Sequence, residues 1–349
     1  MKQELHAMKQ GLKAHVNRVR MSLGVGMGYL PDALSTQLMK QHYHLVGKHS
    51  AVKACKWLRE SILGRRTCYK NTFYGIDSWR CVQCSPVIGC NLCCRFCWRI
   101  SPEDIGIKWD EMSEPVWDEP ELLVEGFLKE QRRIVSGYKG NPKADRKRWE
   151  EANRPAHVAI SLIGEITMYP FLSELIDKFH RAGMSTFVVT NGTLPEKIEN
   201  LSTLPTQLYM SLEAPDEETY RKTCRPKIKI AWEGVNRTLE LFPSIKTRKV
   251  LRLTLVDGLN MLNPEGYAKL ILKAEPDYVE PKSFVFVGGS RYNRGLELGN
   301  MPKHEEIREF AGKLSKETGY MVSDERADSR VVLLCKDREA EKKRFIQKK

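Results

Sequence analysis

No apolar run in this 349-residue sequence approaches the ~18 residues of a bilayer-spanning helix. The N-terminus has scattered Lys and His in place of the charged start and apolar core of a signal peptide, so the expected compartment is the cytoplasm and no membrane partner is expected. Internal repeats and low-complexity linkers are missing as well, which argues against a solenoid or a string of modules. Acidic residues are in deficit: 44 Asp and Glu face 57 Lys and Arg, a formal charge of +13. Such an excess attracts polyanions through counterion release, nucleic acid above all. It is densest between Lys129 and Arg154, where nine bases meet four acids around Tyr138 and Trp149, and in the tail from Lys336, with seven bases and three acids.

Cysteine is abundant and crowded. Eight of the ten lie between Cys55 and Cys97, which in a reducing compartment points to metal and away from disulfides. Cys90, Cys94 and Cys97 form a C-x3-C-x2-C array. Three thiolates in one loop ligate three irons of a 4Fe–4S cube and leave the fourth open, where the amino and carboxylate groups of S-adenosylmethionine can chelate it. Phe96 is placed to pack on the adenine. Zinc is the competing reading, since Cys81/Cys84, Cys90/Cys93 and Cys94/Cys97 are all C-x2-C pairs. Zinc ribbons separate such pairs by ~15–20 residues, and these are packed too tightly for independent knuckles. Upstream, Cys55, Cys68 and Cys81 recur at intervals of thirteen residues and read as ligands of a second cluster.

From Val158 onward strand and helix alternate. Strands are expected at His157–Ile163, Ser185–Val189, Gln207–Leu212, Val250–Val256, Ser283–Val287 and Val331–Leu334. Helices are expected at Phe171–Ala182, Ile230–Leu241, Pro264–Lys273 and Lys303–Leu314, and a helical stretch at Ala51–Ile62 precedes them. The alternation predicts an α/β fold with a parallel sheet, closer to a partial (β/α)6 TIM-type barrel than to a complete eightfold one. The expected division is 1–84 as an N-terminal extension with the second cluster's ligands, 85–335 as the barrel and 336–349 as a basic tail. Chemistry in such barrels sits at the carboxyl ends of the strands, where Glu165, Asn191, Ser211 and Glu213 fall.

The C-x3-C-x2-C spacing resembles that of the radical S-adenosylmethionine superfamily. The likeness extends to Gly164-Glu165-Ile166-Thr167, the superfamily's segment against the substrate amino group, although Ile166 stands where proline is more usual. It implies that Gly164, Glu165 and Thr167 bind S-adenosylmethionine, with Asn191 and Ser211 at its ribose or methionine. Within the superfamily, Cys68-Tyr-Lys70 through Cys81, Gly89 through Arg99, Ser161 to Pro170, Leu208 to Pro215, Cys224-Arg-Pro226 and Met301 to Glu305 resemble the tRNA 4-demethylwyosine synthases. These carbon–carbon lyases or synthases condense pyruvate with N1-methylguanosine beside the anticodon of phenylalanine tRNA. The resemblance implies two 4Fe–4S clusters, S-adenosylmethionine and a Schiff-base lysine at Lys70. It also implies a separate electron-donor protein, because the 54 residues before Cys55 are too few for a flavin domain of about 100–150 residues. Two rival readings are a methylthiotransferase-like radical enzyme, which needs a larger N-terminal cluster domain, and a non-catalytic zinc-ribbon RNA-binding protein.

Overall fold

Residues 30–107, 116–292 and 294–346 are described by the computed structural model. The first 29 residues of the expected extension and the last three of the tail lie outside the described residues. Ten strands form one sheet: β1 (His44–Val46), β2 (Ser50–Val52), β3 (Cys81–Ser85), β4 (His157–Ile160), β5 (Ser185–Thr190), β6 (Gln207–Ser211), β7 (Arg248–Leu255), β8 (Tyr278–Ser283), β9 (Met321–Arg326) and β10 (Val331–Cys335). Their order is β1-β2-β3-β4-β5-β6-β7-β8-β10-β9. From β3 to β8 each strand pairs in parallel with its successor. Parallel neighbours require a crossover, and helices supply it here, among them Pro120–Ser136, Leu172–Arg181, Ala231–Leu241 and Pro264–Ala274. Both edges turn antiparallel, through β2 on β3 and β10 on β8.

Strands buried on both faces explain the sheet's two cores. Along β6, Leu208 and Met210 join the core shared with the helices, together with Val158, Ile160, Val188 and Leu251. Tyr209 points the other way, into a second core with Phe187, Val250, Tyr278, Val331 and Leu333. The short helix Tyr69–Tyr74 fills that inner side with Tyr69, Phe73 and Tyr74. The fold is therefore α/β with a mostly parallel sheet.

Two expectations are corrected. The strand expected at Ser283–Val287 is β8, at Tyr278–Ser283, and Val285 and Val287 are exposed. Pro281 disguised it, since proline argues against a central strand, and Glu280 and Lys282 broke its apolar pattern. Within Ala51–Ile62 only Lys56–Ile62 is helical. Ala51 and Val52 pair with β3, and the Cys55 sulfur caps the helix by accepting from Leu58 N at 3.3 Å. Val331–Leu334 is a strand as expected, and β10 lies antiparallel between β8 and the edge strand β9. Residues 84 and 85 both lie inside β3, and the tail docks by Ile346 N donating to Tyr74 O at 2.9 Å.

Candidate active site

β3 ends in the loop that carries Cys90, Cys94 and Cys97. Apart from the single Leu92–Pro226 bridge it has no strand pairing, so its polar backbone is satisfied from elsewhere. Cys93 N donates to Cys224 O at 3.0 Å, Arg95 N to Thr223 O at 2.9 Å, and Lys227 Nζ to Cys90 O at 3.1 Å. The next strand end presses on the loop: at Gly164, φ is +77° and an added Cβ would lie 2.4 Å from Val87 O and 2.6 Å from Gly89 O. Only glycine fits there. Burial, with Cys94 and Glu165 beside it, pushes the Cys90 thiol up, and a contact with Cys224 plus burial does the same to Cys94. Such thiols stay neutral until a metal displaces the proton.

Glu165 is buried and its oxygens are heavily used. Oε1 accepts from the Thr167 hydroxyl at 2.6 Å, Thr167 N at 3.2 Å and the Thr190 hydroxyl at 2.7 Å, and Oε2 accepts from Asn191 N at 2.7 Å. Burial raises its pKa against those bonds. Asn191 Nδ2 lies 3.9 Å from the Cys90 sulfur and donates to Asn91 at 2.8 Å. Gly164, Glu165, Thr167 and Asn191 are thus gathered against Cys90. Ser211 bonds the carboxylate of Glu213, which faces Cys94 and which burial raises to about 7. Phe96 packs with Val256, Phe284 and Leu296.

The upstream cysteines form a second group. Cys55 and Cys68 each precede a helix, and Cys81 opens β3. Burial, then their mutual proximity, raises Cys68 to about 11 and pushes Cys81 higher. Lys70 faces all three. It is 8% exposed and its amine donates no hydrogen bond to any described residue, Nζ lying 4.3 Å from the Tyr209 ring centroid and 4.9 Å from that of Phe187. Burial, then the neighbouring Arg252 guanidinium, lowers its pKa. Among the described residues no three Cys, His, Asp or Glu converge on a point where one ion could touch them all. A cube makes a different demand, since each cysteine holds its own iron around a cage.

Residues 84–271 match the Radical SAM superfamily, and residues 273–336 match wyosine base formation. The chain is 50% identical over 313 residues to S-adenosyl-L-methionine-dependent tRNA 4-demethylwyosine synthase of Pyrococcus abyssi, covering 88% of this chain and 90% of that protein. The chain belongs to the tRNA 4-demethylwyosine synthase family. The Methanocaldococcus jannaschii synthase is 43% identical, over 87% of this chain and 96% of its own. A structure of TYW1 with a lysine-pyruvate adduct bound superposes with a TM-score of 0.80 at 38% identity, covering 92% of this chain and 99% of that one. Archaeal TYW1 gives 0.74 at 35% identity, covering 91% and 100%.

In this 4-demethylwyosine synthase family member, the wyosine-base-formation stretch reaches both cysteine groups. It supplies Glu280, fully buried, which accepts from the hydroxyls of Tyr69 at 3.0 Å, Tyr74 at 2.6 Å and Tyr209 at 3.2 Å, and so ties the Lys70 helix to β8. It also supplies Lys282, lowered to about 8 by burial and Arg252. Sequence reading offered Lys282 only as the alternative to Lys70 for the adduct and missed Arg252 and Glu280; their signal was charge at alternate positions within strands. At the other group, Arg294 Nη1 donates to Cys94 O at 2.9 Å and Cys97 O at 3.0 Å, and Nη2 to Arg99 O at 3.2 Å and to Asp104. Arg294 is 3% exposed. Arg294→Met should therefore cost roughly 3–5 kcal/mol in urea unfolding of the iron-free chain, by stranding Asp104 and three carbonyls. An unchanged midpoint would show that the loop holds without its clamp.

Proposed function

We propose that this chain joins two carbons of pyruvate to N1-methylguanosine beside the anticodon of phenylalanine tRNA, making tricyclic 4-demethylwyosine in the cytoplasm. The observation that carries this reading is the buried Lys70 amine, free of hydrogen bonds and surrounded by Cys55, Cys68 and Cys81, in a chain alike to one that holds a lysine-pyruvate adduct. In this proposal β3 to β8 curve into a partial barrel, with residues 1–84 as the extension that brings the second thiol set and 336–349 as a basic tail. Cys90, Cys94 and Cys97 would hold one 4Fe–4S cluster, with S-adenosylmethionine near Gly164, Glu165, Thr167, Asn191, Ser211 and Phe96. Cys55, Cys68 and Cys81 would hold the other.

When bound, the first cluster supplies the electron that cleaves S-adenosylmethionine and releases a 5′-deoxyadenosyl radical. The protein's own residues do the rest of the arranging. Lys70 attacks the pyruvate ketone as a neutral amine, forming a C=N bond as water leaves, and its desolvated setting favours that neutral form. Glu280, through Tyr69, fixes the helix that carries Lys70. A flipped guanine is the general way to bring a base within reach of such a site. Within the basic segment Arg133, Arg146 and Arg148 pair with Glu130, Glu150 and Asp145, whereas Lys147 and the other bases enter no ion pair among the described residues. The test is anaerobic incubation with reductant, S-adenosylmethionine, pyruvate and tRNA bearing N1-methylguanosine. Nucleoside mass analysis should show the methylated base replaced by the tricyclic one. A methylthio product in its place would defeat the proposal.

A further inference from the structure

Beside the Cys90–Cys97 loop, three hydrogen-bond donors lie in one neighbourhood without an acceptor among the described residues. Lys53 follows β2, and its backbone N donates to Gln83 O at 3.1 Å, which aims the side chain across to the neighbouring loop. Its Nζ lies 4.3 Å from the Tyr43 ring centroid and 5.6 Å from that of Trp98. The Arg99 guanidinium lies 4.6 Å from the same Trp98 ring. One nitrogen of Arg99 is used on Ser161 O, but its Nε is buried without a partner. The Tyr43 hydroxyl is equally orphaned, on a residue 2% exposed. Among the described residues Lys53 makes no hydrogen bond through its amine, and neither Lys53 nor Arg99 enters an ion pair. Among the described residues the charged groups facing Tyr43 are Arg99 and Cys97, and the one facing Lys53 is Arg99, with no carboxylate among them.

Buried donors are almost always satisfied, and two cations drawn together without a counter-ion repel. We infer that Lys53, Arg99 and the Tyr43 hydroxyl form a seat for an oxyanion, which in the working enzyme is a phosphodiester of the RNA strand that carries the target base. The inference rests on the tRNA-modifying reading above. Carboxylate and phosphodiester share the chemistry, and two features favour the second. Lys53, Trp98 and Arg99 are half-buried, so the seat is open to a group attached to a large substrate, whereas Lys70 is enclosed. Lys53 and Arg99 both lie against the Trp98 ring, so two cations are held in one neighbourhood, which suits an anion carried by a polyanion.

The experiment measures binding of N1-methylguanosine-containing phenylalanine tRNA to the iron-loaded full chain across a salt series. Lys53→Met and Arg99→Met should each weaken binding about tenfold at low salt. The double variant should flatten the log–log salt slope by about 0.9, one phosphate's worth. Tyr43→Phe removes only the hydroxyl and preserves the ring, so it tests the seat even if a cation variant folds poorly; iron content and melting temperature certify each protein. Wild-type affinity and slope in all four variants would overturn the seat while leaving the functional reading standing. An unchanged slope with a raised pyruvate KM would overturn the phosphate assignment in favour of a carboxylate. A wild-type chain that fails to bind the methylated tRNA would overturn the functional reading itself, and the seat with it.

Discussion

Lys70→Arg should bind its full iron, cleave S-adenosylmethionine and yet make the tricyclic base at less than about one-thousandth of the parent rate. Arginine keeps the positive charge in the inner core but offers no amine that deprotonates, so it forms no stable imine with pyruvate. In the parent, borohydride added with pyruvate should raise the protein mass by one reduced pyruvyl group, and peptide mapping should place it on Lys70. The pH dependence has a definite sign. Burial and Arg252 hold Lys70 below the ordinary lysine value, so its reactive neutral form becomes populated at lower pH than for a surface lysine. Adduct formation should rise with pH and level off earlier than for a free amine. If Lys70→Arg still makes product, charge pairing with the carboxylate explains the site better. An adduct on Lys282, whose pKa is also lowered by burial, would keep the chemistry and move the residue.

Replacing Cys90, Cys94 or Cys97 by Ala should abolish 5′-deoxyadenosine formation, because no iron with an open position would remain to chelate S-adenosylmethionine. Replacing Cys55, Cys68 or Cys81 should have a different signature: loss of about four of eight irons and of all product, with some uncoupled cleavage persisting. The contrast is informative because the two groups are spatially separate, one against Gly164 and Asn191 and the other against Lys70. Undiminished cleavage in a Cys94 variant would remove that residue from the first group. Full iron and full product in a Cys68 variant would return the upstream cysteines to a structural role.

The sequence displayed its cysteine spacing openly because Cys90, Cys94 and Cys97 lie within one eight-residue stretch. The strand–helix alternation was equally legible from β4 to β7, where apolar runs are bounded by turn residues. What stayed hidden depends on contacts between distant segments. β8 carries Pro281 and two charges, and only the inner core, with Tyr69 and Lys70 packed into it, explains why they belong in a strand. β1 and β2 are three residues each, too short for any periodicity to appear. Glu165 was expected at the S-adenosylmethionine amino group, and the bonds from Thr167, Thr190 and Asn191 that orient its carboxylate come from segments no local pattern connects. The basic segment shows a similar limit: composition counts Arg148 as free charge, but the fold engages it with Ser61 O and stacks it over Trp79.

Arg294 gives the cysteine loop a schedule as well as a shape. The carbonyl of Cys94 and the guanidinium that holds it are separated by 200 residues. At ribosomal speeds of about 5–20 residues per second, roughly 10–40 s pass between the synthesis of the loop and that of its clamp. Through that interval the nascent chain exposes thiols whose final spacing does not yet exist. Iron delivered early would meet a flexible loop and partner whichever cysteines came first, while iron delivered after release would meet a loop already set by the last third of the chain. A cell making this protein thus has reason to load its metal after translation.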